Sequence, residues 1–149
     1  MRYGWTGGAV LVLAVLAACA QAPLGEEARP MTPAEAVEQA GKWAPKGVRG
    51  QFAFEVKAVG TNGSDSFINS EPDYRDPRCL TLRVAPRVRE QMEARFGGKL
   101  DQVMAGRKVL VRGTASRVRI DWLENGQPTG KFYYQTHVNI TQDDQITLI

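Results

Sequence analysis

The chain has 149 residues, enough for one domain of ordinary size beside an export segment. Its 43% hydrophobic and 23% charged content excludes a largely disordered chain. A formal net charge of +3 is too small to identify a partner, so the distribution of basic residues matters more than their sum.

The amino terminus reads "MRYGWTGGAVLVLAVLAACAQA", a positive start at Arg2 followed by an apolar run from Gly7 to Ala18. That run falls short of the roughly 20 apolar residues of a spanning helix. It fits the core of a secretory signal peptide, with small residues at the cleavage site. Leu16-Ala17-Ala18-Cys19 resembles the lipobox of bacterial lipoproteins, in which diacylglycerol joins the cysteine thiol and cleavage leaves that cysteine first. The resemblance implies a signal peptide over 1–18 and a lipid anchor on Cys19. Ala20 rather than aspartate follows, which implies an outer-membrane anchor facing the periplasm. Ordinary cleavage after Ala18, Ala20 or Ala22 is the alternative. Lipidation of Cys19 leaves Cys79 without a partner, whereas an unlipidated, retained Cys19 makes a Cys19–Cys79 bridge available. Arg75 and Arg78 stand near Cys79, but a packed, idle thiol is the simpler reading of it.

Residues 19–46 are expected to hold a tether and a short helix. "AQAPLGEEARPM", residues 20–31, has two prolines and little to bury, as a flexible linker would. In "TPAEAVEQAGKWA" Thr32 can cap, Pro33 suits the first helical position and Glu35 completes a capping box. Ala36, Val37 and Ala40 supply a small apolar face, and Gly41 a stop.

From residue 47 to 149 the pattern is mainly extended. "QFAFEVKAVG" alternates with period two through Phe52, Phe54, Val56 and Ala58, which predicts a first strand. "TNGSD" is a turn, "SFINS" a second strand, and "CLTLRVA" a third with Leu80, Leu82 and Val84 on one face. Val88, Met92, Phe96, Leu100 and Val103 then recur at helical spacing, opened by Pro86 and interrupted at Gly97-Gly98. "KVLVRGTASRVRIDW" is a long fourth strand whose apolar phase flips between Gly113 and Arg117, which predicts a bulge or a sharp coil there. "LENGQPTG", 123–130, is expected as a hairpin loop, "KFYYQTHVNI" as the fifth strand and "QITLI" as a closing edge.

Three strands, a helix and two further strands, the first of these kinked, resemble the OB-fold, a five-stranded, partly open Greek-key barrel. "GRKVLVRGTA", Gly106 to Ala115, is similar to the glycine–basic–Val-x-Val-x-Gly start of the fourth strand in many OB proteins. "SFINSEPDYRDPRCLTLRV" resembles a segment of small exported bacterial OB proteins at Phe67, Asn69, Asp73, Tyr74, Arg75, Leu80 and Thr81, and departs from it at Ser70-Glu71-Pro72. Most such modules have no assigned activity, so the resemblance implies fold rather than function. A small α+β sandwich is the alternative that strand count permits.

Glu71 to Arg78 reads as a solvated connection, punctuated by Pro72 and Pro77, with Asp73 and Arg75 pinning the turn. Arg75 and Arg78 oppose a cation among Glu71, Asp73 and Asp76, so no metal is expected. His137, the one histidine, falls on the outward phase of the fifth strand and is expected to be solvated. No nucleophile has an evident base and no phosphate-binding loop occurs, so neither catalysis nor a cofactor is expected. Binding is the expected work. Phe67, Tyr74, Trp122 and Tyr133 are candidate stacking platforms, and Arg75, Arg83, Arg112, Arg117 and Arg119, with Lys131, candidate polar contacts. Asp121, Glu124, Asp143 and Asp144 nearly cancel the basic residues after position 100. An envelope protein or small ligand is therefore favoured over single-stranded nucleic acid. The loops 61–66 and 123–130 are the expected mouth of the site.

Overall fold

Residues 29–149 are described by a computed structural model of the chain. The expected signal peptide, Cys19 and most of the tether lie outside the described residues.

Thr32 opens the first element as its neighbours predict. Its hydroxyl accepts from the Glu35 amide at 3.3 Å while Glu35 Oε2 accepts from the Thr32 amide at 2.8 Å, a reciprocal capping box that starts helix α1, Pro33–Lys42. Ala36 and Ala40 are fully buried, and their small size lets the helix sit close on the sheet. The tether is shorter than expected at its far end. Met31 is docked on the first strand, its amide donating to Gln51 O at 2.8 Å and its carbonyl accepting from Ala53 at 3.0 Å. Gly50 makes that approach possible, since a Cβ there would stand 2.5 Å from Met31 Cε.

The expected first strand is two strands, β1 (Val48–Glu55) and β2 (Ala58–Asn62). Val56 exchanges hydrogen bonds with Arg107 O and the Gly106 amide, whereas the Lys57 amide donates to Asn69 O at 2.9 Å. The chain therefore changes partners between adjacent residues. Phe52, Phe54 and Val56 stay buried throughout, so the hydrophobic alternation carries no trace of the break. A two-residue turn, with Gly63 at φ +65°, leads to β3 (Asp65–Asn69), and β4 (Leu80–Val84) follows the polar connection.

Helix α2 (Pro86–Phe96) ends at Gly97, whose φ of +78° suits a residue without a side chain, and α3 (Leu100–Met104) completes the helical insertion. Val88, Met92, Leu100 and Met104 are its buried residues. Then come β5 (Lys108–Glu124), β6 (Gln127–Ile140), a 3-10 turn (Asp143–Gln145) and β7 (Ile146–Leu148).

The fold is mainly β. Its sheet runs β1-β5-β6-β4-β3-β2, with β7 paired to β5 beside β6. The β4–β6 pair is parallel and the other named pairs are antiparallel. The five-stranded barrel expected from the sequence is thus corrected to an open, mixed, seven-stranded sheet. The partner switch at Val56-Lys57 adds one strand, and "QITLI" adds the other by pairing Ile146 with Val111 and Leu148 with Val109. β1 and β2 end the path at opposite sides, and no pairing joins them.

Two details of β5 and β6 also depart from expectation. The segment 123–130 is not a loop: both strands continue through it, and only Asn125-Gly126 turns, with φ of +51° and +77°. That is the two-residue Asn-Gly hairpin whose twist matches its strands. No bulge lies at 113–117 either. Pairing is unbroken from Lys108 to Asp121, and the register shifts only between Asp121 and Leu123. The apolar phase flips there because the core covers one face of β5 only as far as Ala115. Beyond it the other face, with Val118 and Ile120, is the half-covered one.

One core unites the sheet and helices. Phe52, Ile68, Leu80, Leu82, Val109, Val111, Val138 and Ile140 meet Ala36, Ala40, Met92 and Met104 in it. Burying one such side chain contributes about 1.5–3 kcal/mol.

Candidate functional site

In β6, Thr136, Val138 and Ile140 are buried toward the core, so Tyr133, Gln135 and His137 project from the opposite face. Residues paired across strands share a face. Asn69 of β3, Thr81 of β4, His137 of β6 and Ser116 of β5 therefore form one transverse row, while Val118 and Ile120 lie opposite Gln135 and Tyr133. Phe67 lies opposite Gly60 on the same face. This face floors a groove of about 490 Å³, walled by the β2–β3 hairpin on one side and by β5–β6 and Tyr74 on the other.

Its polar side chains are joined in short chains. His137 Nε2 and Gln135 Oε1 are 2.7 Å apart, and Gln135 Nε2 donates to the Tyr133 hydroxyl at 2.8 Å. The Thr81 hydroxyl donates to Asn69 Oδ1 at 2.9 Å. The Phe67 ring lies 6.3 Å from the His137 ring and tilted to it. Burial, with a smaller contribution from the nearby Arg83 charge, lowers the His137 pKa to about 4, so the ring is neutral at physiological pH. Burial also pushes the Tyr133 hydroxyl upward, keeping it protonated. None of the groove's lining residues is Asp, Glu, Lys or Arg.

The connection from Ser70 to Cys79 repeats one device twice. Asp73 Oδ1 accepts from the Arg75 amide at 2.9 Å and from its Nε at 3.0 Å, and Oδ2 accepts from Nη2 at 3.1 Å. Asp76 and Arg78 make the same three bonds at 2.9, 3.1 and 2.8 Å. Each aspartate thus closes a turn with its own arginine, as expected of Asp73 and Arg75. The Arg78 guanidinium and amide hold the Asp76 carboxyl down to about 2, and Arg75 lowers Asp73 in the same way. Both arginines are exposed and neutralised, and Tyr74, with the Arg75 guanidinium 5.6 Å from its ring centroid, lines the same depression as Tyr133.

The nine side chains singled out from the sequence do not gather in one place. Phe67, Tyr74 and Tyr133 line the groove. Trp122 stacks obliquely on Tyr133 at 5.9 Å and, with Arg75, flanks a smaller depression beyond it. Arg83 lies opposite Phe67 but is spent on Asp65, at 2.6 Å from Nη2 and 2.7 Å from Nε. Arg117 and Arg119 are on the other face, stacked over Tyr134 at 3.7 Å and Phe132 at 4.1 Å. Arg112 is elsewhere again, donating to the Asp144 carbonyl at 3.1 Å. The arginines expected on one side therefore do not share it.

His137 is half-buried and hydrogen-bonded, not solvated. Its cover comes from β3 and β4, which are remote in sequence. Gln135, Asn69 and Thr81 were not singled out for the site, although the odd-numbered phase of β6 pointed to Gln135. Among the described residues Cys79 is a buried free thiol, its Sγ 3.6 Å from the Thr81 hydroxyl and 4.0 Å from Asn69 Oδ1. No protein-family model matches the chain, and no curated protein matches it.

Proposed function

We propose that the chain is a non-enzymatic binding module of OB-fold type, held at the bacterial envelope by lipid on Cys19, with a protein or small ligand in the groove over β3, β4 and β6. The strand order supports the OB reading. β1 and β2 act as the two halves of one bent strand, β4 and β6 pair in parallel, and a helical insertion separates β4 from β5. The observation that carries the binding reading is the groove itself: apolar rings and hydrogen-bonded neutral groups converge in a cleft of about 490 Å³. Small-ligand sites of roughly 300–1,000 Å³ have this make-up. His137 bonds to an amide rather than to a nucleophile or carboxylate, which fits recognition better than catalysis.

Single-stranded nucleic acid is the second reading, and a specific feature favours it. Arg117 and Arg119 stack on Tyr134 and Phe132 along the exposed β5–β6 ribbon, an arrangement on which bases can also stack. Photocrosslinking in cells separates the two. A photoreactive phenylalanine analogue at Phe67 is expected to capture an adduct that the same analogue at Phe132, or at Ala94 on α2, does not. Equal capture from all three positions refutes the groove, and capture from Phe132 alone assigns the ribbon instead.

A further inference from the structure

Several polar atoms of the groove are left unspent. As Gln135 is oriented, its Oε1 accepts from His137 Nε2 and its Nε2 donates to the Tyr133 oxygen. That direction frees the Tyr133 O–H to donate and the second His137 ring nitrogen to accept. Thr81 occupies Asn69 Oδ1, and the Asn69 Nδ2 donates to nothing among the described residues. A donor, an acceptor and a second donor thus face one cleft, beside the rings of Phe67, Tyr74 and Tyr133.

Charge decides what these groups can hold. A phosphodiester would find the flanking guanidiniums already taken, Arg75 by Asp73 and Arg83 by Asp65, and the histidine of the groove neutral. A purely apolar ligand would strand the free donors and acceptor out of water, at a cost for each. What suits both constraints is an uncharged molecule with hydroxyls at its edge and an apolar face.

We infer that the groove binds an uncharged saccharide, its hydroxyls on Tyr133, His137 and Asn69 and the C–H face of a ring on Phe67, Tyr74 or Tyr133. The assignment rests on the groove being the binding site proposed above. Gly60 widens the wall beside Phe67, since open space surrounds the position a Cβ would take.

Calorimetry on the full chain tests this with maltotetraose, cellotetraose and chitotetraose as uncharged probes and a deoxythymidine oligomer as the charged one. Saturable binding of at least one saccharide is expected, changed less than about twofold between roughly 50 and 300 mM salt. Tyr133→Phe and Gln135→Ala are each expected to weaken it about tenfold, with unchanged circular dichroism. Silence from all three saccharides, or binding indifferent to both substitutions, overturns the inference. So does oligomer binding that falls steeply with salt and is lost in the same variants. If the saccharides fail while the Phe67 crosslink persists, the ligand class is wrong and the groove stands; if both fail, the groove falls too.

Discussion

The His137 ring lies beside Phe67 and near the guanidinium of Arg83, with its Nε2 on Gln135. In the unfolded chain a histidine takes up a proton near pH 6.5. In the native protein this one does so only near pH 4. Between those values the unfolded state binds a proton that the folded state refuses, so stability falls as the pH drops through that window and is unaffected above it. The shift corresponds to a loss of at most about 3 kcal/mol. His137→Gln removes the ionisation and keeps a neutral hydrogen-bonding group. Its urea midpoint is expected to change less than the wild type's between pH 6.5 and 4; an identical pH slope would show that the ring titrates normally. Glu35 and Asp76, held near 2 by Arg29 and Arg78, begin to lose their contribution as the pH falls into the ordinary carboxylate range of about 4, at the foot of this window, and do so alike in wild type and variant. The histidine's outward direction was legible from period two, but its cover was not, because Phe67 and Thr81 reach it only through strand pairing.

At the scale of elements, the β5–β6 ribbon stands apart. β1 covers one edge of β5 only as far as Ala115, and β4 covers one edge of β6 only from Thr136. Between Arg117 and Gln135 the two strands therefore pair chiefly with each other, and residues 121–132 are all exposed. A two-stranded ribbon is marginal by itself. The Arg117–Tyr134 and Arg119–Phe132 stacks add roughly 0.5–1 kcal/mol each at such sites. Amides of 121–132 are expected to exchange with deuterium at least about a hundredfold faster than those of Val109–Val111 and Val138–Ile140. Comparable protection would mean that something covers the ribbon in solution. Asn125-Gly126 had the composition of a hairpin turn, yet the long polar run around it suggested a loop. Whether polar residues extend a ribbon or form a loop depends on hydrogen bonds to the opposite strand, which hydropathy does not encode.

For the whole molecule, Met31 marks where the chain joins the sheet. Among the described residues the core begins at Met31 and Ala36. With lipid on Cys19 as proposed, Cys19→Ser is expected to move the protein from the membrane to the soluble fraction. Retention at the membrane would remove the lipid from the proposal. No helix among the described residues is long and apolar enough to cross a bilayer.

The order of helices and extended segments, the capping box at Thr32 and most of the core were determined by local pattern alone. Propensity and hydrophobic period act within a few residues, and those residues carry the information themselves. The tertiary structure alone decided three things: the partner switch at Val56-Lys57, the separation of Arg83 from Arg117 and Arg119, and the gathering of Asn69, Thr81 and His137 into one row. Each depends on which strands become neighbours and in what register. Residues far apart in the chain set that choice together, and a one-residue slip in it would turn every one of those side chains to the other face.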